Sequence, residues 1–288
     1  MTQNYVLMTD SSSDIPADLA KELDIRILQL DVMLEGEQSV KNDQIDPKDF
    51  YARLRSKQGV TTAAVQMEQF TEVMDAIAAE GKDILYLGFS SGLSATYQAA
   101  AVAAADLGEK YPDRKFLTVD TLAASLGQGL LVSYAAKMRL NGKSIEEVRD
   151  WTEEHKLHLC HWFTVDDLFF LKRGGRVSTA TAVMGSMLSI KPVLHVDNAG
   201  KLINVSKARG RKNSIDALFE NMKRSAIAPE TQTVYISHGD CLEDAQYLAE
   251  RVRNELGVSD IMIGYVGPVI GAHSGPGTLA LFFLGTER

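Results

Sequence analysis

The sequence predicts an α/β protein of two α/β domains, the first with a mainly parallel sheet flanked by helices, the second with a mixed sheet and helices. Three observations predict this architecture. The chain has 288 residues, more than the ~100–200 residues of an ordinary domain. Short apolar strands alternate with helices in its first half, as in right-handed βαβ units. Beyond residue 148 the alternation becomes irregular, so we expect a boundary near residue 157, dividing the chain into 1–157 and 158–288.

The first half reads as a regular series of strands and helices. An apolar strand at residues 5–8 ends at the turn and capping residues 9–14, and Pro16 then begins a helix. The remaining elements are predicted as a strand at 25–32, helices from Asp46 and at 67–79, a strand at 84–89, a helix at 95–107, a strand at 115–120 and a helix at 127–141. Ligands of parallel sheets bind beyond the carboxyl ends of the strands. Loops 9–13, 90–94 and 120–125 are therefore predicted to meet at one edge.

The second half has four predicted strands, at residues 159–165, 189–197, 234–237 and 261–266. No Gly-, Ser- or Pro-rich linker separates the halves, so we expect them to pack tightly. A cleft between them is the natural place for a ligand.

Composition and charge exclude several classes of function. The formal net charge is -8, which disfavours nucleic acid as a partner. One basic segment, residues 201–212, is the exception. Two interpretations of it remain open: a surface that docks on an anionic membrane or on a partner subunit, and a solvated loop. Cys160 and Cys241 are the only cysteines, which fits a reducing, cytoplasmic location. No apolar run reaches the ~20 residues of a spanning helix, so any membrane contact would be transient and peripheral.

A hydroxyl-rich loop at residues 88–97 follows a strand and precedes a helix. Free N–H groups at a helix start favour a carboxylate or phosphate, and Ser94 lies where it could add a hydroxyl. The alternative is that Ser94 only caps the helix. Thr61 and Thr62, in the predicted loop before the helix at Met67, could reach the same edge.

Two segments of the second half also carry candidate residues. A glycine turn at residues 173–176 bears arginines suited to a carboxylate, followed by an apolar stretch that includes Met184, Met187 and Leu188. The flexible methionines suit a pocket for a long chain, although ordinary core packing is the better explanation of each residue taken singly.

The most distinctive segment is residues 264–278, where five glycines and two prolines predict a tight loop with His273 at its centre. Such a histidine could donate to a carboxylate or act as acid, base or nucleophile. His195 and His238, at strand ends, are second choices. The sequence has no phosphate loop, no dinucleotide fingerprint and no zinc-ligand spacing, so we expect no cofactor and no metal.

Five segments in this order resemble the DegV family: VLMTDSSSDIP, GFSSGLSATYQAA, DTLAASLGQGLLV, DLFFLKRGGRVSTATAVMGSMLSIKPVL and GPVIGAHSGPGTLALFFLG. The resemblance extends over nearly the whole chain. It implies two α/β domains, with an acyl chain buried in the second and its carboxylate at the interface. It further implies the binding subunit of a bacterial fatty acid kinase, active in phospholipid metabolism and not an enzyme on its own, since a partner catalytic subunit supplies ATP.

The resemblance also implies roles for individual residues. The carboxylate would be held by Ser94 and the backbone N–H of Ala95, with Thr62 supplying a second hydroxyl and Arg173 and His273 beside the head group. Met184, Met187 and Leu188 would line the acyl-chain pocket. Two departures concern the head group: the usual TSQPS reads Thr62-Ala63-Ala64-Val65-Gln66 here, and SGT reads Ser94-Ala95-Thr96.

Two hypotheses follow. In the first, the protein carries one long-chain fatty acid, whose affinity comes mostly from ~0.8 kcal/mol for each buried CH₂ group. In the second, it is a small-molecule phosphotransferase or hydrolase subunit that uses His273 with Ser91 or Ser94. The absence of a G-x-S-x-G motif disfavours the hydrolase.

Overall fold

The computed structural model describes residues 4–177 and 189–288. Its first half consists of seven strands and six α-helices, most of them in the predicted order. In chain order they are β1 (Tyr5–Asp10), α1 (Ala17–Glu22), β2 (Ile25–Leu28), β3 (Asp31–Leu34), β4 (Val40–Lys41), α2 (Pro47–Arg55), β5 (Val60–Ala63), α3 (Met67–Ala79), β6 (Asp83–Gly88), α4 (Thr96–Lys110), β7 (Phe116–Asp120), α5 (Ser125–Leu140) and α6 (Ile145–His155).

A four-stranded parallel sheet forms the centre of this half, in the order β2-β1-β6-β7. Strands β1 and β6 are buried almost throughout, which explains their continuous apolar sequence. The predicted parallel sheet is confirmed. Its strands β1, β6 and β7 end at Asp10, Gly88 and Asp120, so the three predicted loops do leave from the same edge.

The predicted strand at residues 25–32 is wrong as a single element. The chain bends after Leu28 and continues as β3, which pairs antiparallel with β4 and β5 in a separate three-stranded sheet. The Ser11 hydroxyl accepts a hydrogen bond from the Leu30 N–H at 2.9 Å, which holds the bend. Thr61 and Thr62 consequently lie in strand β5, not in a loop. Alternation along β5 leaves Thr61 exposed and turns Thr62 inward.

The second half contains a six-stranded mixed sheet, as predicted, in the order β10-β9-β8-β13-β11-β12. Only β11 and β12 pair in parallel. Its elements are β8 (Leu159–Thr164), α7 (Leu168–Arg173), β9 (Ile190–Val196), β10 (Leu202–Arg209), α8 (Arg211–Ser225), β11 (Val234–His238), α9 (Leu242–Leu256), β12 (Ile261–Tyr265), α10 (Pro268–Ser274) and β13 (Leu279–Leu284). Residue 157, the predicted boundary, lies in the connection between α6 and β8.

Two strands of this sheet were not predicted. Strand β13 is buried over most of its length and occupies a central position between β8 and β11. Strand β10 is mostly exposed, because it lies at an edge and pairs only with β9. It takes up most of the basic segment 201–212.

One of the hydrophobic clusters contains residues of both halves. Val266, Val269 and Ala272, from the end of the chain, pack into the same cluster as Phe50 and Tyr51 of α2. The hydroxyl of Tyr51 donates to the carbonyl of Val266 at 2.7 Å. The halves are therefore joined by buried contacts, as the absence of a flexible linker predicts.

The segment around His273 is a short helix and not the expected glycine loop. Pro268 is the first residue of α10. A backbone N–H at this position has no acceptor within the helix, so the N–H that proline lacks costs no hydrogen bond. Gly271 lies where the helix packs on Tyr51, and a Cβ there would approach the tyrosine hydroxyl to 2.5 Å. The glycines thus allow close packing of a helix, rather than the turn that their number indicated.

In the described parts of the chain, no helix combines the length and the apolar character needed to cross a membrane. Met184, Met187 and Leu188, expected in the acyl-chain pocket, lie outside the described residues.

Candidate functional site

A cavity of about 310 Å³ lies between the two halves. This volume falls at the lower end of the ~300–1,000 Å³ that is usual for small-molecule sites. Its described walls come from the carboxyl edge of the parallel sheet, from α10 and from the inner face of the mixed sheet. Most of the lining is apolar, including Leu93, Phe163, Val269, Ala280 and Phe282.

Polar side chains gather at one part of this cavity, on elements distant in sequence. The Nε2 atom of His273, on α10, lies 2.8 Å from the Oγ1 atom of Thr62, on β5. Ser94 and Ala95, at the start of α4, line the same cavity. We call Thr62, Ser94, Ala95, Arg176 and His273 the polar cluster.

The His273 ring is enclosed and neutral. Burial, together with the positive charges of the Arg176 and Arg173 guanidinium groups, lowers the pKa of His273 to about 4. Its Nδ1 atom has no hydrogen-bond partner among the described residues and faces Gly174, where a Cβ would approach it to 2.3 Å. At neutral pH this imidazole offers hydrogen bonds without a positive charge.

The loop that carries Ser94 is anchored at several points. The buried Asp10 carboxylate accepts hydrogen bonds from the Tyr86 hydroxyl at 2.6 Å and from the Phe89 N–H at 3.0 Å. The Ser90 hydroxyl donates to the Gly200 carbonyl of the second half at 2.8 Å. These contacts fix the position of Ser94 relative to both halves.

The Ser94 hydroxyl both caps α4 and lines the cavity. Its Oγ accepts a hydrogen bond from the Thr96 N–H at 3.2 Å and lies 2.9 Å from the Thr96 hydroxyl. Thr96 is completely buried. If the Thr96 hydroxyl donates to Ser94, the hydroxyl hydrogen of Ser94 stays available to an anion. The capping and binding interpretations of Ser94 are therefore compatible.

Arg176 brings a positive charge to the polar cluster. Its Nε and Nη2 atoms donate to the Leu93 carbonyl at 3.2 and 3.1 Å, and its Nη1 atom donates to the Gly174 carbonyl. Burial lowers the pKa of Arg176, which nevertheless remains charged at neutral pH because arginine titrates far above it. No carboxylate among the described residues pairs with this guanidinium within ion-pair distance.

A surface groove adjoins the cavity at the polar cluster. Glu35 and Glu37 line one part of this groove and Arg173 another, and its volume is about 560 Å³. Thr62, Arg176 and His273 line both the groove and the cavity. A group held by these three side chains would touch apolar walls on one side and be reachable from solvent on the other.

The polar cluster is suited to binding an anion. The first N–H groups of α4 have no intrahelical partner and carry the positive end of the helix dipole. The Arg176 guanidinium and the Ser94 and Thr62 hydroxyls add donors at the same place. A carboxylate with an apolar tail satisfies both the donors and the apolar walls.

The family of the protein follows from its sequence as a whole. A family model described as "Uncharacterised protein, DegV family" matches residues 4–286. This chain belongs to the DegV family. A DegV domain-containing protein of Clostridium perfringens is 48% identical over 288 residues, and the match covers 99% of each chain.

Solved DegV structures have the same fold. A structure titled "Fatty Acid Binding of a DegV family Protein from Thermus thermophilus" is 31% identical, with a TM-score of 0.86, and covers 98% of this chain and 100% of its own. DegV of Bacillus subtilis, described as a fatty acid binding protein, is 28% identical, with a TM-score of 0.85, and covers 99% and 100%. The resemblance to the DegV family and the DegV-like α/β fold are confirmed.

The structure places the residues expected to bind a carboxylate as follows. Thr62, Ser94, Ala95 and His273 all line the cavity. Arg173 does not line it. That side chain is exposed in the groove, with its guanidinium carbon 5.0 Å from the centre of the Phe170 ring.

Two residues at this site, Arg176 of the polar cluster and Thr96, received no individual role from the sequence. Arg176 lies in the same glycine turn as Arg173, and only the fold decides which of the two faces the cavity. Thr96 was read only as part of the departure from the SGT pattern. In the other departure, Ala63 and Ala64 line the cavity, so this wall is apolar where TSQPS would supply polar groups.

The basic segment is not a solvated loop, because strand β10 occupies most of it. Arg211, which begins α8, lies 2.8 Å from Asp244 and 3.7 Å from Asp166, so its charge is balanced locally. Lys201, Lys207, Arg209 and Lys212 are exposed. They are the charges of this segment that a partner could reach.

A metal site has no support in the part of the chain that the structure describes, where no group of three or more His, Cys, Asp or Glu side chains could hold an ion.

Proposed function

We propose that this protein binds one long-chain fatty acid in the cavity and presents its carboxylate to the catalytic subunit of a fatty acid kinase. The acyl chain lies along the apolar walls, and the polar cluster holds the carboxylate. The partner subunit supplies ATP, and the product is an acyl phosphate.

One observation carries the proposal: Thr62, Arg176 and His273 line both the cavity and the surface groove. A carboxylate bound by these residues is fixed from within while one face of it remains accessible. That arrangement suits transfer of a phosphoryl group from a separate protein. A carrier that only stored lipid would not need an accessible head group.

The similar proteins support the lipid part of the proposal. The DegV-family proteins of Thermus thermophilus and Bacillus subtilis are described as binding fatty acids, and both resemble this chain over nearly its whole length. Apolar walls such as Leu93, Phe163 and Phe282 provide the same kind of environment here. Each CH₂ group moved from water to such walls contributes ~0.8 kcal/mol.

A hydrolase or a small-molecule phosphotransferase finds less support in the geometry. The hydroxyl bonded to His273 is that of Thr62; neither Ser91 nor Ser94 forms a hydrogen bond with His273 in the described parts of the chain. A nucleophile and its base should lie within hydrogen-bond reach. The apolar lining of the cavity also disfavours a small polar substrate.

Reconstitution with a cognate kinase subunit tests the proposal. The protein, the kinase subunit, ATP and a labelled long-chain fatty acid should together form acyl phosphate, and omission of any one of them should abolish it. The methyl ester of the same fatty acid should give no product. Acyl phosphate formed at the same rate without this protein would contradict the proposal.

A further inference from the structure

The cavity wall contains a second group of polar side chains, which the proposed function does not use. Ser237, on β11, and Ser125, at the start of α5, both line the cavity. Their Oγ atoms are 3.1 Å apart, and the Ser125 hydroxyl also donates to the Oδ2 atom of Asp14. These three residues form a continuous hydrogen-bonded series, which we call the serine relay.

The serine relay is separate from the polar cluster. Ser237 lies on the face of the mixed sheet, where it pairs with Ala280, which in turn pairs with Phe163. Both of these neighbours line the cavity. The polar cluster instead belongs to β5, α4, α10 and the turn that follows α7. The relay therefore faces the acyl chain and not its carboxylate.

The Ser237 hydroxyl retains hydrogen-bonding capacity that points to a ligand. It is completely buried, and Ser125 is its hydrogen-bond partner in the described chain. When the Asp14 carboxylate is ionised, the hydroxyl hydrogens of both serines point towards it, and Ser237 keeps a free lone pair. When Asp14 is protonated, the series can reverse, and Ser237 keeps a free hydroxyl hydrogen.

A plain hydrocarbon leaves this remaining capacity unused in either state, so that Ser237 keeps only its hydrogen bond to Ser125 among the described residues. A hydroxyl group is both donor and acceptor, so it complements Ser237 in both states. The nearby His161 ring also lines the cavity. It is 1% exposed, and its Nε2 atom has no hydrogen-bond partner among the described residues. The cavity thus contains hydrogen-bonding groups that an unsubstituted acyl chain cannot pair with.

We propose that the cavity accepts fatty acids bearing a hydroxyl group part-way along the chain, and that Ser237, supported by Ser125 and Asp14, binds this hydroxyl. The proposal rests on the proposed function, because it assumes that the acyl chain occupies the cavity. It defines a substrate class: mid-chain hydroxy fatty acids in addition to plain ones.

The test is a titration of delipidated protein with octadecanoic acid and with a series of octadecanoic acids in which one hydroxyl group is moved along the chain. In the parent protein, the acid with the hydroxyl group at one particular position should bind more tightly than the acids with the hydroxyl group elsewhere. At that position, the affinity ratio of hydroxylated to plain acid should fall about threefold to tenfold in Ser125→Ala/Ser237→Ala, as expected for one lost hydrogen bond. The single variant Ser237→Ala should show the same direction of change.

Ser133→Ala is the matched control, because Ser133 is a buried serine of α5 that bonds Gly129 and Tyr235 and does not line the cavity. It should keep the parent ratio. A parent protein that binds plain acid but shows no preferred hydroxyl position, or the same ratio in parent and serine variants, would overturn the inference alone. If the preference were lost in His161→Phe but kept in the serine variants, His161 and not Ser237 would bind the hydroxyl group, and the inference would be wrong. If the parent protein bound neither kind of acid, the proposed function would fall as well.

Discussion

The Thr62 hydroxyl and the His273 ring lie 2.8 Å apart, although 211 residues separate them in the chain. Their contact joins β5 of the first half to α10 near the end of the second. It closes the cavity on one side and borders the surface groove on the other. The head-group site therefore exists only when both halves are folded against each other.

Substitutions in the polar cluster should impair head-group delivery more than lipid binding. Ser94→Ala, Thr62→Val and His273→Ala each remove a neutral hydrogen bond of roughly 0.5–1.5 kcal/mol, so affinity should fall only several-fold. Phosphoryl transfer should fall much further, by up to ~10²-fold, because a displacement near 1 Å disturbs in-line attack. The measurement is a kinase assay beside a lipid titration.

A neighbouring loop residue provides a matched control for these variants. Ser91→Ala changes a serine that lines neither the cavity nor the surface groove. It should retain phosphorylation and affinity. Normal acyl-phosphate production by all three polar-cluster variants would place the head group elsewhere.

Arg176 should contribute more than Arg173 to recognition of the carboxylate. Only Arg176 lines the cavity, and the Leu93 carbonyl braces its guanidinium beside Ser94. A hydrogen bond to a charged group contributes ~1.5–3 kcal/mol, so Arg176→Gln should reduce the affinity ratio of acid to methyl ester about tenfold or more. Arg173→Gln should change it less than about threefold. A larger loss in Arg173→Gln would reverse this assignment.

A larger side chain at Ala280 should shorten the preferred acyl chain. Ala280 is 6% exposed and lines the cavity between Phe163 and Ser237. Ala280→Leu fills space that the chain would occupy, and each displaced CH₂ group loses ~0.8 kcal/mol. Titration with fatty acids of increasing length should locate the new optimum.

Ala249→Leu is the corresponding control, since Ala249 is also buried but belongs to the core around α9. It should lower the unfolding temperature through overpacking and leave the chain-length preference unchanged. An Ala280→Leu protein with the parent preference would mean that the acyl chain does not pass this position.

The Asp14 carboxyl should make stability fall as the pH rises from about 4 to about 7. Burial raises the pKa of Asp14 from 3.8 to about 7. In this window the folded protein retains a proton that the unfolded chain has released, so raising the pH favours unfolding. Asp14→Asn suits the left-handed backbone there, with φ of 52°, and removes this dependence.

The measurement is the unfolding temperature of both proteins across that range. Relative to the parent, the stability of Asp14→Asn should increase with pH, whereas the exposed substitution Asp113→Asn should follow the parent. A constant difference between Asp14→Asn and the parent would show that this carboxyl does not titrate in the window.

The regular part of the fold was predictable from the sequence, because continuous apolar strands and turn residues mark a buried parallel sheet. Strand β1 and the three loops at the sheet edge are examples. Strand β10 was missed because an exposed edge strand has no such apolar pattern. The helix bearing His273 was missed because Gly271 allows packing against Tyr51, a residue more than two hundred positions away.

The candidate site was predictable only in part. Ser94 was a candidate because its hydroxyl lies at a predicted helix start, whereas Thr62 received its role from the resemblance to the DegV family. The choice between Arg173 and Arg176 depends on which side of a turn faces the cavity. The serine relay joins residues of three distant segments, none of which carries a signal alone.

Denaturing extraction of the purified protein tests the central claim most directly. The organic phase should contain a long-chain fatty acid at close to one molecule per chain, and native mass spectrometry before extraction should find the protein heavier by the same mass. Fatty acid at background levels, even after incubation of the protein with excess lipid, would contradict the account.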